Sequence, residues 1–146
     1  MTLDELTAIE EIKKLKGRYC RFLDTKDWDG FANLFTRDAT LNVDTGVSTM
    51  GGDPRPIPEV RGRAGIRSSI SSALQSAITG HHCHTPEIEL TSPTTATGIW
   101  AMEDVVELPG AHLNGQGHHH ETYVVEEGKW RIASLNATRT RMKMTS

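Results

Sequence analysis

Three histidines, His81, His82 and His84, lie within residues 80–86, where the sequence pattern changes from helical to strand-like. An imidazole has an unperturbed pKa of about 6.5 and can act as a general base or acid near neutral pH. An aspartate that accepts a hydrogen bond from one ring nitrogen fixes the tautomer and leaves the other nitrogen free to take a proton. Asp24, at the predicted end of the first helix, is the candidate partner.

Strand alternation alone does not identify which of these histidines faces the interior. His82 and His84 share the parity of the apolar Ile88, whereas His81 shares that of Glu87. His81 can still face inward if the regular strand begins after it. The alternative interpretation is that these are surface or capping histidines and that the aspartate is solvated in a turn.

Asp104 lies on the apolar face of a strand predicted over 94–108. By alternation, its acidic neighbours Glu103 and Glu107 point to the other face. A carboxyl group on the apolar face is expected to be desolvated, which makes Asp104 a candidate for proton transfer. The alternative is an exposed strand end. The residues that share the face of Asp104 are Thr94, Ala96, Gly98, Trp100, Met102 and Val106.

A second run of histidines occupies residues 118–120. His118 and His120 would share one strand face, as metal ligands often do, and His82 and His84 would form a similar pair. A zinc or iron site needs three or four convergent ligands, and no further spacing pattern supports one. We therefore predict no metal site.

Residues 3–24 are predicted to form an amphipathic helix, because apolar residues recur every three or four positions. Thr2 and Glu5 form a capping-box pattern that marks its start. Asp24 then falls at the helix end, where the dipole opposes a carboxylate and favours a positive or hydrogen-bond-donating partner. The apolar stripe consists of Leu3, Leu6, Ile9, Ile12, Leu15, Tyr19, Phe22 and Leu23.

Two shorter helices, a strand and a loop are predicted next. A helix fits 28–35 after the cap candidate Asp27, and a short strand fits 39–43. A third helix fits 63–78, where isoleucines and a leucine recur at i+4 steps. Residues 44–61 are rich in glycine and proline, a composition typical of a loop that can cover a pocket.

The rest of the chain has the alternation of strands, with turn signals at Pro109 and Gly110 and at Glu127 and Gly128. Helices first and a four-strand meander after them predict a single α+β domain over 1–146. Its three N-terminal helices should pack in the concave face of a curved, mainly antiparallel sheet, forming a cone-shaped α+β barrel whose mouth can hold a ligand. The predicted strands are 84–91, 94–108, 116–126 and 129–141.

Charge and composition exclude some classes of partner. The net charge is -3, the pI is near 6.1, and lysine and arginine are scattered, so we predict no nucleic-acid or anionic-membrane partner. Two cysteines, Cys20 and Cys83, are too few for a disulfide framework and indicate free thiols in a reducing cytoplasm. The N-terminus is acidic where a signal peptide would be basic, and no run approaches the ~20 apolar residues of a membrane span. We expect a cytoplasmic protein.

Five stretches, in order along the chain, match a known pattern. They are IKKLKGRYCRFLD (12–24), HTPEI (84–88), TTATG (94–98), the segment 100–104, and GKWRI (128–132) continuing to Arg139. Together they resemble the SnoaL-like branch of the nuclear-transport-factor-2-like superfamily, which includes scytalone dehydratase and ketosteroid isomerase. The similarity is greatest to bile-acid 7-alpha-dehydratase. The stretches cover nearly the whole chain, so the resemblance implies the fold.

The resemblance also implies a site. Dehydratases of this family use a tyrosine and an aspartate on the first helix, a histidine and an aspartate on successive strands, and an arginine near the end. These fall on Tyr19, Asp24, His81, Asp104 and Arg139. Among the three histidines the resemblance therefore favours His81, with Asp24 orienting it. The residues expected to contact substrate are Arg139, Trp100, Met102, Phe35 and His84.

The resemblance implies a dehydratase that needs no cofactor and acts on a hydrophobic cyclic, polyketide-like or steroid-like carbonyl compound. It also implies a homodimer or homotrimer. One alternative is an isomerase of the ketosteroid-isomerase type, which would use the same pocket. Another is a non-catalytic ligand-binding protein or an oxygenase small subunit, in which the predicted pairing of Asp24 and His81 would have no function.

Overall fold

The computed structural model describes residues 1–146. Three helices and six strands form one α+β unit, which confirms the predicted fold class. The helices are α1 (Leu3–Thr25), α2 (Trp28–Ala32) and α3 (Arg63–Leu74). The strands are β1 (Phe35–Val43), β2 (Val60–Arg61), β3 (Ile78–Ser92), β4 (Thr95–Leu108), β5 (Ala111–Glu126) and β6 (Lys129–Thr145).

The long helix α1 begins and ends as its local chemistry dictates. Thr2 accepts a hydrogen bond from the backbone of Glu5, and the Glu5 side chain accepts one from the Thr2 backbone, so the predicted capping box is present. Lys26 ends the helix in the left-handed conformation, with φ of 61°. None of the three helices has the length and apolar character that crossing a bilayer requires.

The six strands form one curved sheet in the order β2-β1-β6-β5-β4-β3. The last four strands are a meander in which every neighbouring pair is antiparallel, as predicted. Only β1 and β6 pair in parallel, and the sheet does not close into a barrel. The core fills the space between helices and sheet, and its most buried side chains include Ile12, Phe35, Ile66 and Ile132, each 0% exposed.

Two helices are shorter than predicted because residues near their predicted ends pair in strands instead. The predicted helix 28–35 ends at Ala32, since the Ile132 backbone donates to the Leu34 carbonyl and Phe35 pairs with Ile132 at the start of β1. The predicted helix 63–78 ends at Leu74 for the same reason. Its fourth apolar position, Ile78, opens β3 and is 72% exposed.

A β-bulge in β3 explains why strand alternation was misleading for the histidines. His84 pairs with Ala101 and Glu87 pairs with Ile99, so three steps along β3 match two along β4. Thr85, inside the bulge, has φ of 49°. Side chains before the bulge therefore have the opposite parity to those after it. Alternation allowed His81 to face inward only if the regular strand began after it. The strand begins before it, at Ile78, and His81 faces inward because of the bulge.

Candidate active site

An apolar cavity of about 340 Å³ lies between the helices and the concave face of the sheet. Its polar lining comprises Tyr19 from α1, Thr45 from the segment after β1, His81 from β3, Asp104 from β4, His119 from β5 and Arg139 from β6. Most of the other lining residues are aliphatic or aromatic. Three larger surface grooves, of about 770, 680 and 460 Å³, are lined mainly by polar residues, and of the polar residues just named only His81 reaches one of them, the third. The smaller cavity is therefore the candidate active site.

Asp24 and His81 are in direct contact at one wall of this cavity. The Asp24 Oδ1 atom lies 2.8 Å from Nδ1 of the His81 ring, and Oδ2 accepts a hydrogen bond of 3.0 Å from the His81 backbone. The Thr79 hydroxyl donates a third hydrogen bond to Asp24, at 2.9 Å. Since the carboxylate occupies Nδ1, the other ring nitrogen of His81 is available to exchange a proton.

The Asp24 carboxylate is held in its charged form. Burial opposes ionisation, but hydrogen bonds from the His81 ring, the His81 backbone and Thr79 outweigh it and lower the pKa of Asp24. An anion at this place stabilises a positive charge on His81 when that ring takes a proton. This is the arrangement that a general base needs in an apolar pocket.

Tyr19 contributes a neutral phenol to the cavity. Its side chain packs edge-on against the rings of Phe35 and His119 and is 7% exposed. Burial raises the pKa of Tyr19 well above its ordinary value, and the negative charges around it act in the same direction. The hydroxyl therefore stays protonated and can donate a hydrogen bond to a ligand.

Asp104 forms an ion pair with Arg139 instead of standing alone on the apolar face. Both hydrogen bonds, Nη1 to Oδ1 and Nη2 to Oδ2, are 2.8 Å, in the bidentate geometry that arginine and carboxylate prefer. Asp104 also pairs with His81 across β3 and β4. The sequence predicted the inward face of Asp104, where its side chain is 17% exposed, but not its ion pair. The residue positions Arg139 at the cavity, and Arg139 compensates its charge.

Arg139 also forms hydrogen bonds with the glycine-rich and proline-rich loop at the cavity. Its Nε donates to the Asp44 carbonyl at 2.6 Å, and its backbone exchanges hydrogen bonds with Ser48. The predicted loop 44–61 is mainly irregular over 44–59 and contributes Thr45 and Ile57 to the cavity wall, whereas its last two residues form β2. One arginine therefore connects the cavity floor to the loop that covers it.

Gly115 makes room for the Asp104–Arg139 pair, since a Cβ atom there would overlap both side chains. We expect Gly115→Ala to displace the pair and to lower the free energy of unfolding by about 1–3 kcal/mol, the usual cost of overpacking. Chemical denaturation measures this change. Gly17→Ala, where a Cβ meets nothing within 4 Å, is the control for an added methyl group and should raise stability by up to about 1 kcal/mol, because alanine is the better residue inside helix α1. A Gly115→Ala protein as stable as wild type would show that the pair tolerates the methyl group.

Four of the predicted substrate contacts do not line the cavity. Phe35, Trp100 and Met102 are buried in the core, where Phe35 is 0% and the other two are 5% exposed. Trp100 and Met102 share the inward face of β4 with Asp104, but strand parity predicts only the face and not the position along it. His84 is exposed and contacts the Thr85 hydroxyl. Only Arg139 of the predicted substrate contacts lies at the cavity.

A buried polar cluster beside Tyr19 was not predicted. Lys16 Nζ lies 2.9 Å from Glu121 Oε2 and 2.8 Å from His119 Nδ1, and also 3.8 Å from the Tyr19 ring centroid. The Tyr123 hydroxyl donates to the second Glu121 oxygen at 2.8 Å. Burial raises the pKa of Tyr123, as does the Glu121 charge, so this donor stays protonated. We name Lys16, His119 and Glu121 the buried triad.

The signals for the triad are present in the sequence. Lys16 follows Ile12 by four residues and precedes Tyr19 by three, so a charged residue lies on the apolar stripe of α1. On β5 the inward side chains are at odd positions, which makes His119 and Glu121 internal. A lysine and a glutamate on two inward faces indicate a buried pair, because neither is buried alone at low cost.

His118 and His120 point away from the cavity, on the other face of β5. His118 is half-buried, and His120 is exposed and lies 3.2 Å from the Thr138 hydroxyl. Their ring centroids are 6.3 Å apart. No group of three or more histidine, cysteine or acidic side chains is arranged to hold a metal ion.

Comparison with known proteins identifies the family. The family model for the SnoaL-like domain matches residues 4–136. A curated relative from Gibberella zeae, named Probable cyclase FGR4, is 28% identical in an alignment 142 residues long that covers 92% of this chain and 93% of the relative.

Two solved structures share the fold. Hexachlorocyclohexane dehydrochlorinase LinA-type3 from Novosphingobium barchaimii is 16% identical, with a TM-score of 0.79 over 99% of this chain and 94% of that one. A scytalone-dehydratase-like protein from Novosphingobium aromaticivorans is 19% identical, with a TM-score of 0.77 over 98% and 91%. Because the family model spans most of the sequence, the chain belongs to the SnoaL-like family.

Proposed function

We propose that this protein is a cofactor-independent dehydratase that removes water from a hydrophobic cyclic, polyketide-like or steroid-like hydroxy-carbonyl compound. The observation that carries the proposal is the Asp24–His81 contact of 2.8 Å at the wall of an apolar cavity. A cavity of about 340 Å³ is large enough for a small fused-ring compound.

In this mechanism His81 acts first as base and then as acid. It takes the proton from the carbon next to the carbonyl group, and the electron pair of that C–H bond forms the carbon–carbon double bond. The hydroxyl group leaves from the neighbouring carbon with its bonding electrons, and the His81 cation returns the proton to it as water. Asp24 stabilises the cation between the two steps. No oxidant, reductant or cofactor is needed for this balance.

The carbonyl oxygen becomes negative as the proton leaves, so it needs donors. Tyr19 is a neutral donor in the cavity, and Arg139 provides positive charge beside Asp104. Donors fixed in a dry pocket stabilise such a charge more than water does, because they do not have to reorganise. A general base supplies about 10²–10⁴-fold, so positioning in the cavity must supply the remainder.

The names of the relatives support an elimination or proton-transfer enzyme without fixing the substrate. They denote a cyclase, a dehydrochlorinase and a protein like scytalone dehydratase. The last two names denote loss of HCl and loss of water, which are both eliminations. The Asp24–His81 pair supports such a step in this chain.

The experiment is a substrate screen with purified protein. Hydroxy-ketone steroids, polyketides and aromatic precursors are incubated with the enzyme and followed by mass spectrometry for loss of water. The proposal expects at least one compound to lose water with the wild-type protein and not with His81→Ala. Products of unchanged mass with shifted double bonds would support an isomerase instead. A screen in which the two proteins never differ would contradict enzymatic use of the site.

A further inference from the structure

The triad borders the cavity as well as the core. His119 lines the cavity and is 6% exposed, while Lys16 and Glu121 lie behind it at 1% and 3%. The side chains of the charged pair are 2.9 Å apart and 0–1% exposed. Removing two charges from water is costly, and apolar residues of similar volume often stabilise a fold as well as a buried pair does, so stability alone does not explain a pair in this place.

The hydrogen bonds of the triad determine which histidine nitrogen carries the proton. An ammonium group has only donors, so Lys16 donates to both Glu121 Oε2 and His119 Nδ1. The Tyr123 hydroxyl donates to the other Glu121 oxygen, so both oxygens of the carboxylate accept hydrogen bonds. The Cys83 sulfur, a weak donor, lies 3.8 Å from the same Nδ1 atom. Nδ1 therefore accepts, and in a neutral ring the proton resides on Nε2.

The His119 ring is also kept neutral. Burial lowers the pKa of His119 well below its ordinary value, and the Lys16 charge lowers it further. The ring lies edge-on to Tyr19, with centroids 5.7 Å apart, and both residues line the cavity. The hydrogen bonds that the His119 ring makes within the protein all use Nδ1, so Nε2 is left for a ligand in the cavity.

We propose that His119 is a further ligand-contacting residue whose Nε2–H donates a hydrogen bond to a substrate oxygen, and that Lys16 is the positioning residue that fixes this tautomer. The role as a donor to the reacting carbonyl rests on the proposed function. With Tyr19 it gives the cavity two neutral donors beside one another, which selects ligands that carry an oxygen atom over hydrocarbons of the same shape. A site built to donate hydrogen bonds loses affinity for a ligand that leaves its donors unpaired.

The first test reads the tautomer directly, without activity. Protein labelled with ¹⁵N-histidine is measured by long-range proton–nitrogen correlation NMR at pH 7.5, and the His119 signals are assigned by their loss in His119→Asn. We expect a neutral ring protonated only on Nε2. In Lys16→Met/Glu121→Gln, which removes both buried charges together, we expect a mixture of the two tautomers. A wild-type ring protonated on Nδ1, or charged, overturns the proposal, and an unchanged tautomer in the double variant overturns the role of Lys16.

The second test measures ligand selection with two probes of nearly equal shape, the ketone α-tetralone and the hydrocarbon tetralin. His119→Asn keeps an acceptor for Lys16 but has no group at the Nε2 position, whereas His119→Gln can restore a donor there. We expect His119→Asn to weaken tetralone binding by about two- to tenfold, which is the contribution of one hydrogen bond. Tetralin binding should be unchanged. His119→Gln should recover part of the loss, and the outward-facing His118→Asn should have no effect.

The outcomes separate this proposal from the proposed function. If wild-type protein binds tetralone no better than tetralin, or if His119→Asn weakens both equally, His119 is not a ligand donor. Selective binding of the ketone without turnover of any hydroxy-ketone would leave the donor in place and contradict the dehydratase. Turnover that depends on His81 but is unchanged in His119→Asn would support the dehydratase and contradict His119 as the donor to its carbonyl group.

Discussion

Replacement of His81 by alanine is expected to lower kcat/KM for a substrate found by the screen by about 100- to 10,000-fold, because it removes the proton-transferring group. The fold should persist, since the His81 side chain lies at the cavity wall with a partner at 2.8 Å and contributes little to the apolar core. The measurement is initial rate against substrate concentration, with circular dichroism to verify folding.

His82→Ala is the matched control for this variant. His82 is the next residue on β3, and its side chain is 69% exposed and 3.9 Å from Glu103 on the outer face. Its rate should equal that of wild-type protein. Equal rates in His81→Ala and His82→Ala would contradict a base at His81, whatever the absolute activity.

Asp24→Asn tests the other half of the pair. The amide keeps the shape of the carboxylate but cannot stabilise the His81 cation, so kcat should fall by a similar order. Stability gives an independent readout. The folded-state pKa of Asp24 lies below its unfolded value of about 3.9, so the charged form stabilises the fold above that pH. The stability advantage over Asp24→Asn should therefore shrink as the pH falls below about 4 and through the folded-state pKa. An advantage that does not change with pH would contradict the charged partner.

The sequence was sufficient for the fold class because its information on helices and strands is local. A capping box and an apolar stripe define α1, and alternation between turn signals defines the meander. The boundaries near Phe35 and Ile78 could not be predicted locally, since distant strands, β6 and β4, pair with these residues. Long-range pairing outweighs local helix preference at such positions.

The candidate site was likewise predictable only in part. The resemblance placed Asp24 beside His81, and the structure has them in contact. Alternation along β3 pointed to His82 and His84, because a bulge of one residue after His84 reverses the parity. Pro86, inside the bulge, is the local signal that could have indicated it, since proline within a strand marks an edge or a bulge. For Asp104, alternation predicted the face correctly but not its Arg139 partner, which comes from 35 residues further along the chain.

Lys16→Met is expected to lower the free energy of unfolding by about 3–5 kcal/mol, the usual cost of leaving one buried charge without its partner. The Glu121 side chain is 0% exposed and loses its cation at 2.9 Å, and His119 Nδ1 loses its donor at the same time. Urea or guanidinium denaturation measures the change. Lys13→Met, on the exposed side of the same helix with its side chain 49% exposed, should alter stability by well under 1 kcal/mol.

The double variant Lys16→Met/Glu121→Gln decides what the buried pair does. Removing both charges avoids the unpaired carboxylate, so most of the stability lost in Lys16→Met should return. The side-chain amide that replaces the Glu121 carboxylate still has a carbonyl oxygen to accept from Tyr123, which keeps that side of the cluster paired. If the double variant regains stability while kcat and ketone selectivity stay low, the two charges serve the cavity and not the fold. If it stays as unstable as Lys16→Met, the pair stabilises the fold, and the tautomer measured by NMR in the same variant shows whether Lys16 also orients His119.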